Sequence, residues 1–244
     1  MHQPINDGRE IGQDQLAKWS LVSDVSQRMQ ISFASIKAAV SSLIGGEIIW
    51  DQAAQHEFMQ TVDKTVDDLS SLAAVLTVAM RFESQELSVD REPHSLPEIL
   101  SQAKDQVQAQ AANVVIDLSL PVDIRPVAVD FEYLRMALRL LFEILAKTNA
   151  HHHGSISVQL VEKADQWQII VAGKFADPAN SFIDWLCTAE SKDAPPPASL
   201  RSDIRLKGLV AYELLGLQAV SMATNRSAND IRYLVLSAPF NVET

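Results

Sequence analysis

The side chains best suited to chemistry in this sequence are its histidines and its single thiol. His151, His152 and His153 stand in a row before Gly154, and imidazoles are the commonest metal ligands. Three adjacent side chains do not converge on one ion, so the run reads as a polar turn. His56 begins the second helical stretch and His94 sits in a proline-containing stretch, so neither combines an acidic neighbour with the mid-helix position that a phosphoryl-accepting ring nitrogen would need. Cys187 is the only cysteine, which excludes an intrachain disulfide and a cysteine-rich metal site. It lacks a histidine partner nearby in sequence, so a thiol nucleophile is not indicated.

Composition narrows the classes further. The 244 residues are 47% hydrophobic and 21% charged, enough apolar material for a folded core. With 20 Lys and Arg against 31 Asp and Glu, the formal net charge is -11, and no dense basic cluster breaks the excess. Nucleic acid is therefore an unfavoured partner. No run of 18 apolar residues and no apolar N-terminal leader is present, so a cytoplasmic protein without membrane insertion is expected. From Asp51 to Asp105 there are 11 acidic and 4 basic residues, a local net of -7 that suits a partner with a basic rim, or simply a solvated face.

The elements that must position these residues divide near residue 90. Residues 1–15 are polar, with Pro and Gly, and read as a flexible lead-in. From residue 16 to 90 the pattern is helical. Leu21, Val25, Met29, Phe33, Ile36, Val40 and Leu43 recur at spacings of three and four, the stripe of an amphipathic helix. Gly45 and Gly46 end it. Asp51 could cap a second helix carrying Phe58, Val62, Val66, Leu69, Leu72, Leu76 and Met80. Each helix would be about 40 Å long. Such a hairpin leaves two stripes uncovered, and pairing of two copies as a dimeric four-helix bundle would bury them; packing on the rest of the chain is the alternative. Trp19 and Trp50 near the ends of the first helix read as end-packing of the bundle or as partner contacts.

Residues 88–97, with two prolines and several charges, read as a linker. From 91 to 244 the pattern is mixed. Helices are expected over 96–112, 131–148 and 206–215, and strands over 114–120, 155–161, 167–171, 219–224 and 231–237, with 173–203 irregular around Pro195, Pro196 and Pro197. Trp167 and Trp185 read as core or edge residues. The whole is an α+β chain: a long antiparallel helical hairpin followed by an α/β sandwich of about 150 residues.

This order of elements resembles the core of a sensor histidine kinase, in which a dimerisation and phosphoacceptor hairpin precedes a Bergerat-type ATP-binding domain. The stretch LVSDVSQRMQISFASIKAAVSSLIGG (21–46) is similar to the family's first helix, with its Ser-His-Glu-Leu-Arg-Thr-Pro-Leu motif, and residues 57–87 resemble the second. VDFEYLRMALRLLFEILAKTN (129–149) resembles the asparagine-box helix, and KGLVAYELLG (207–216) the helix after the last glycine-rich box.

The resemblance implies roles that these residues do not reproduce. The phosphoacceptor histidine falls on Gln27, its acidic neighbour on Arg28 and the helix-bending proline on Ser32. The magnesium-holding asparagine falls on Ile144, and a second common asparagine on Leu140. No Asp follows the strand at 167–171 at the adenine position, where AGKFADP keeps only Gly173 and places Asp177 several residues late. The last glycine box keeps only Gly208. No cofactor and no metal is therefore expected, and the chain reads as a non-enzyme. Its expected function is that of a degenerate, histidine-kinase-like adaptor or regulator that homodimerises and binds a protein partner, a receiver domain or an active kinase, around Asp24, Gln27, Arg28 and Ile31. Three other readings stand beside it: a histidine phosphotransfer protein with an atypical acceptor, an ATPase with atypical ligands, and a structural subunit unrelated to two-component signalling.

Overall fold

The structure is a computed structural model that describes residues 7–45, 51–110, 114–121, 123–149, 155–175, 177–188, 196–227 and 231–240. The triple histidine at 151–153, Trp50, Pro195 and the side chains of Trp19 and Leu43 lie outside the described residues. The chain divides into two compact units, 1–86 and 87–244.

The first unit is a pair of helices, α1 (Asp7–Gly45) and α2 (Gln52–Glu83), which contact one another. Helix α1 starts within the segment read as a flexible lead-in. Glu10, Gln13 and Gln15 are good helix formers and extend a helix already nucleated further along. Asp51 caps α2 as its position suggests: its side chain accepts from the Ala54 backbone N–H at 2.7 Å. Leu21 and Val25 of α1 and Leu69, Leu72 and Val75 of α2 are buried. Most of the remaining stripe is not: Phe33, Val66 and Met80 stay exposed, as do Ile31, Ile44 and Met59.

The second unit opens with β1 (Glu92–His94), which pairs antiparallel with β3 (Val127–Val129) inside the stretch read as linker. Pro93 is tolerated because a two-stranded ribbon is all edge. A five-stranded sheet follows in the order β2-β4-β5-β7-β6, from β2 (Ile116–Ser119), β4 (Ile156–Glu162), β5 (Gln166–Gly173), β7 (Arg232–Pro239) and β6 (Ser221–Arg226). The β2–β4 pair is parallel and the other neighbours are antiparallel. Strict alternation puts Ile156, Val158 and Leu160 of β4, Trp167, Ile169 and Val171 of β5, and Leu234 and Leu236 of β7 on one buried face.

Helices α3 (Leu96–Gln110), α4 (Phe131–Asn149) and α6 (Ser202–Leu217) form the helical layer, with α4 in contact with both neighbours. Its middle is buried on every side from Leu140 to Ala146. Helix α5 (Ala179–Cys187) occupies part of the stretch expected to be irregular. It contacts α4 and β6, and Phe182, Ile183, Trp185 and Leu186 give it a buried face. Trp167 and Trp185 are both core residues.

Candidate functional site

Two places collect the residues singled out in the sequence, one in each unit. On α1, the packing of Leu21 and Val25 turns Asp24, Gln27 and Ile31 outward. Asp24 and Gln27 are exposed, Ile31 is 60% exposed and Arg28 is half-buried. Spacings of three and four place the four on one side of the helix. On the same helix the hydroxyls of Ser26 and Ser35 donate to the carbonyls of Val22 and Ile31 at 2.8 and 3.0 Å and so satisfy themselves on the helix's own backbone. Gln27 offers an amide, able to donate and accept hydrogen bonds but without a ring nitrogen. His56, on α2, is exposed and shares a 3.0 Å hydrogen bond with the Gln60 amide. His94 sits in β1 against the Phe131 ring, 5.2 Å between centroids.

The second place lies between α4 and α6. Leu140 and Ile144 are buried in the apolar interior of α4. Between them the helix carries Glu143, 3% exposed, and α6 carries Lys207, 5% exposed. The Lys207 ammonium donates to Glu143 Oε1 at 2.6 Å, and Lys147, one turn along α4, donates to the same oxygen at 2.7 Å. Arg139 brings a third cation to 3.8 Å from Oε2. Burial on its own would raise the carboxyl's pKa, but the two ammonium groups outweigh it and hold Glu143 below its ordinary value. Burial also lowers the pKa of Arg139, against the pull of Glu143.

The two glycines retained from the expected boxes are covered by the chain's own rings. A Cβ placed on Gly208 would lie 2.6 Å from the Phe182 ring, and one on Gly173 would lie 2.7 Å from the Phe175 ring. Phe182 stacks on Trp185, 5.8 Å between centroids, and Trp185 meets Tyr212 of α6. Arg232 of β7 fastens this cover: it forms an ion pair with Asp184 and donates to the Asn180 carbonyl at 3.2 Å, while the Asn180 amide donates to the Phe175 carbonyl at 2.6 Å. Asp177 is exposed and accepts from the Ser181 hydroxyl at the start of α5. Cys187 sits at the other end of α5, its thiol pushed up to about 11 by burial. Among the described residues no group of three His, Cys, Asp or Glu side chains could hold a metal ion. No helix there is long and apolar enough to cross a membrane.

Neither a protein-family model nor a curated protein sequence matches this chain. Solved structures do. The histidine kinase AdeS of Acinetobacter baumannii superposes with a TM-score of 0.61 at 14% identity, over 88% of this chain and 98% of that one. The fold is that of the histidine kinase core. Two further structures of that fold span 98% of this chain: full-length ShkA in complex with AMPPNP, TM-score 0.54 at 12% identity over 47% of its own length, and histidine kinase ThkA in complex with the response regulator protein TrrA, TM-score 0.52 at 10% identity over 68%.

This corrects one expectation. The chain reads from sequence as a non-enzyme, yet the structures that share its fold are histidine kinases, which are enzymes, and nothing in the described residues shows catalysis to be absent. The loss of familiar side chains is not by itself the loss of an activity. The fit of magnesium triphosphate is a narrower question. Ile144 and Leu140 offer no oxygen ligand, magnesium requires several, and Phe182 stands against Gly208. In the arrangement described, these residues do not fit that group.

Glu143, Lys207, Phe175 and Phe182 escape the sequence reading. The signal for the first two is a single charge inside an apolar run: LLFEILA on one helix and LKGLV on the other. A charge at such a position needs a partner when buried.

Proposed function

We propose that this chain is a two-component signalling protein of histidine kinase fold that pairs with a second copy through α1 and α2 and binds a receiver domain on the α1 face of Asp24, Gln27, Arg28 and Ile31. The observation that carries the reading is the surface of the hairpin. It presents a half-covered apolar stripe, with Phe33, Val66 and Met80 exposed, and beside it a polar face centred on Gln27. The stripe suits a second copy, because two hairpins together bury what one leaves exposed. The polar face suits a protein partner: Ile31 supplies an apolar anchor, and Asp24, Gln27 and Arg28 supply orientation. Support comes from the ThkA structure, which shares the fold over nearly the whole of this chain and contains a response regulator. The acidic segment 51–105 favours partners with a basic rim.

The test is a binding titration of purified receiver domains against the full chain and against Gln27→Ala, Arg28→Glu and Ile31→Asp. Loss of binding in Ile31→Asp and Arg28→Glu, with the far-ultraviolet spectrum unchanged, supports the docking face. Binding unaffected by all three refutes it. Adding Mg-ATP or a phosphorylated receiver to the same mixtures reads phosphoryl transfer directly. An acid-labile label on exposed His56 would favour phosphotransfer through an atypical acceptor instead.

A further inference from the structure

The disagreement between this chain and a magnesium site has a positive counterpart in the same place. Helix α4 carries Arg135, Arg139, Glu143 and Lys147 at intervals of four residues, and α6 adds Lys207 from across the helix pair. Three of these cations surround one carboxylate, all within 4 Å of it. In a chain with a net charge of -11 this is a concentration of positive charge that the linear sequence conceals. It lies immediately beside Ile144, on which the expected metal ligand falls.

We propose that Glu143 and Lys207 form a metal-free clamp between α4 and α6. The chain itself supplies there the cation for which a magnesium ion would otherwise be needed. Three features make the assignment specific. The Lys207–Glu143 contact crosses between the helices, whereas the pairs that Lys147 and Arg139 make with Glu143 run along α4. Both partners of the crossing pair are buried, so neither charge has water to fall back on. Next to the pair, the Phe182 ring packs directly against Gly208, the residue after Lys207. An ion entering between the helices would have to displace an ammonium already hydrogen-bonded at 2.6 Å and would gain no new oxygen ligand from Ile144. The clamp keeps the α4–α6 layer in one arrangement whether or not divalent cation is present. The inference does not depend on the docking face of the hairpin.

Thermal unfolding of the full chain, followed by Trp fluorescence, tests it. The expected midpoint is the same in EDTA, in magnesium alone and in Mg-ATP. A ligand held at about 100 times its Kd by the folded state would raise the midpoint by several degrees, and such a rise in Mg-ATP overturns the proposal. Variants give the second arm. Lys207→Met leaves Glu143 buried with only its α4 neighbours, and its midpoint should fall by roughly 5–10 °C, with Lys207→Arg recovering part of the loss. Glu143→Leu with Lys207→Met removes both charges of the crossing pair and Lys147 reaches water, while Arg139, its side chain 12% exposed, loses a nearby carboxylate, so part of the midpoint should return. A Lys207→Met midpoint equal to that of the parent, or a double variant no better than the single, shows that the pair clamps nothing. If Lys207→Met does not fold, the double variant and the EDTA and Mg-ATP comparisons on the unaltered chain still decide.

Discussion

At Glu143 two opposing forces act on one carboxyl. Burial favours the protonated form and the neighbouring ammonium groups favour the charged one, and the net result is a pKa below the ordinary value of 4.5. A carboxyl depressed in the folded state binds protons more readily once unfolded. Its contribution to stability is therefore complete above the ordinary carboxylate range and disappears as pH falls through the depressed value. Melting curves of the parent and of Glu143→Gln, recorded from pH 7 downward, should converge in acid; a gap that stays constant to pH 3 would show that the carboxylate charge is not what stabilises. Cys187 makes the opposite case, a neutral form favoured chiefly by burial, with Arg232 opposing and Asp184 reinforcing the rise to about 11. Because the thiolate is the reactive species, alkylation of Cys187 by iodoacetamide at pH 8 should be at least tenfold slower than that of a small free thiol, and should accelerate in denaturant.

At the scale of the element, α5 shows where sequence patterns stop being informative. The long helices announce themselves by many repeats of one period, and β4, β5 and β7 by alternation over seven or eight residues. Helix α5 has only nine residues, lies among prolines, and gets its stability from what it covers rather than from its own propensity. Strands β1 and β3 have three residues each, too few for a period to show, and become strands only by pairing with one another. The candidate site was legible to the same degree. The outward position of Gln27 follows from the places of Leu21 and Val25 on the helix wheel, whereas the meeting of Glu143 with Lys207 joins residues 64 positions apart and needs the tertiary fold. What α5 covers also sets its energetics. Phe182→Ala should cost about 3–5 kcal/mol of unfolding free energy through the cavity left beside Gly208. Arg232→Gln removes the ion pair with Asp184 but leaves the apolar face in place, so it should loosen α5 without unfolding the sheet. Hydrogen exchange should rise over 179–187 while the amides of β5 stay protected; uniform protection in that variant would show that Arg232 fastens nothing.

For the molecule as a whole, the proposed pairing sets an apolar stripe that would draw two copies together against a net charge of -11 on each that would drive them apart. The stripe acts at contact and the repulsion over a Debye length, about 10 Å at 0.1 M salt, so salt separates them. Self-association through α1 and α2 should therefore tighten as salt is raised from low values. Phe33→Ser, counted in both copies, removes about 3 kcal/mol of apolar burial and should weaken the dimer roughly 100-fold. Docking of a partner with a basic rim runs the other way, since there the acidic surface attracts, and its affinity should fall over the same salt range. Sedimentation equilibrium and receiver titration across one salt series thus give two slopes of opposite sign from one protein. Two slopes of the same sign would mean that a single kind of contact, apolar or ionic, governs both associations, and the division of the hairpin into a pairing stripe and a docking face would have to be abandoned.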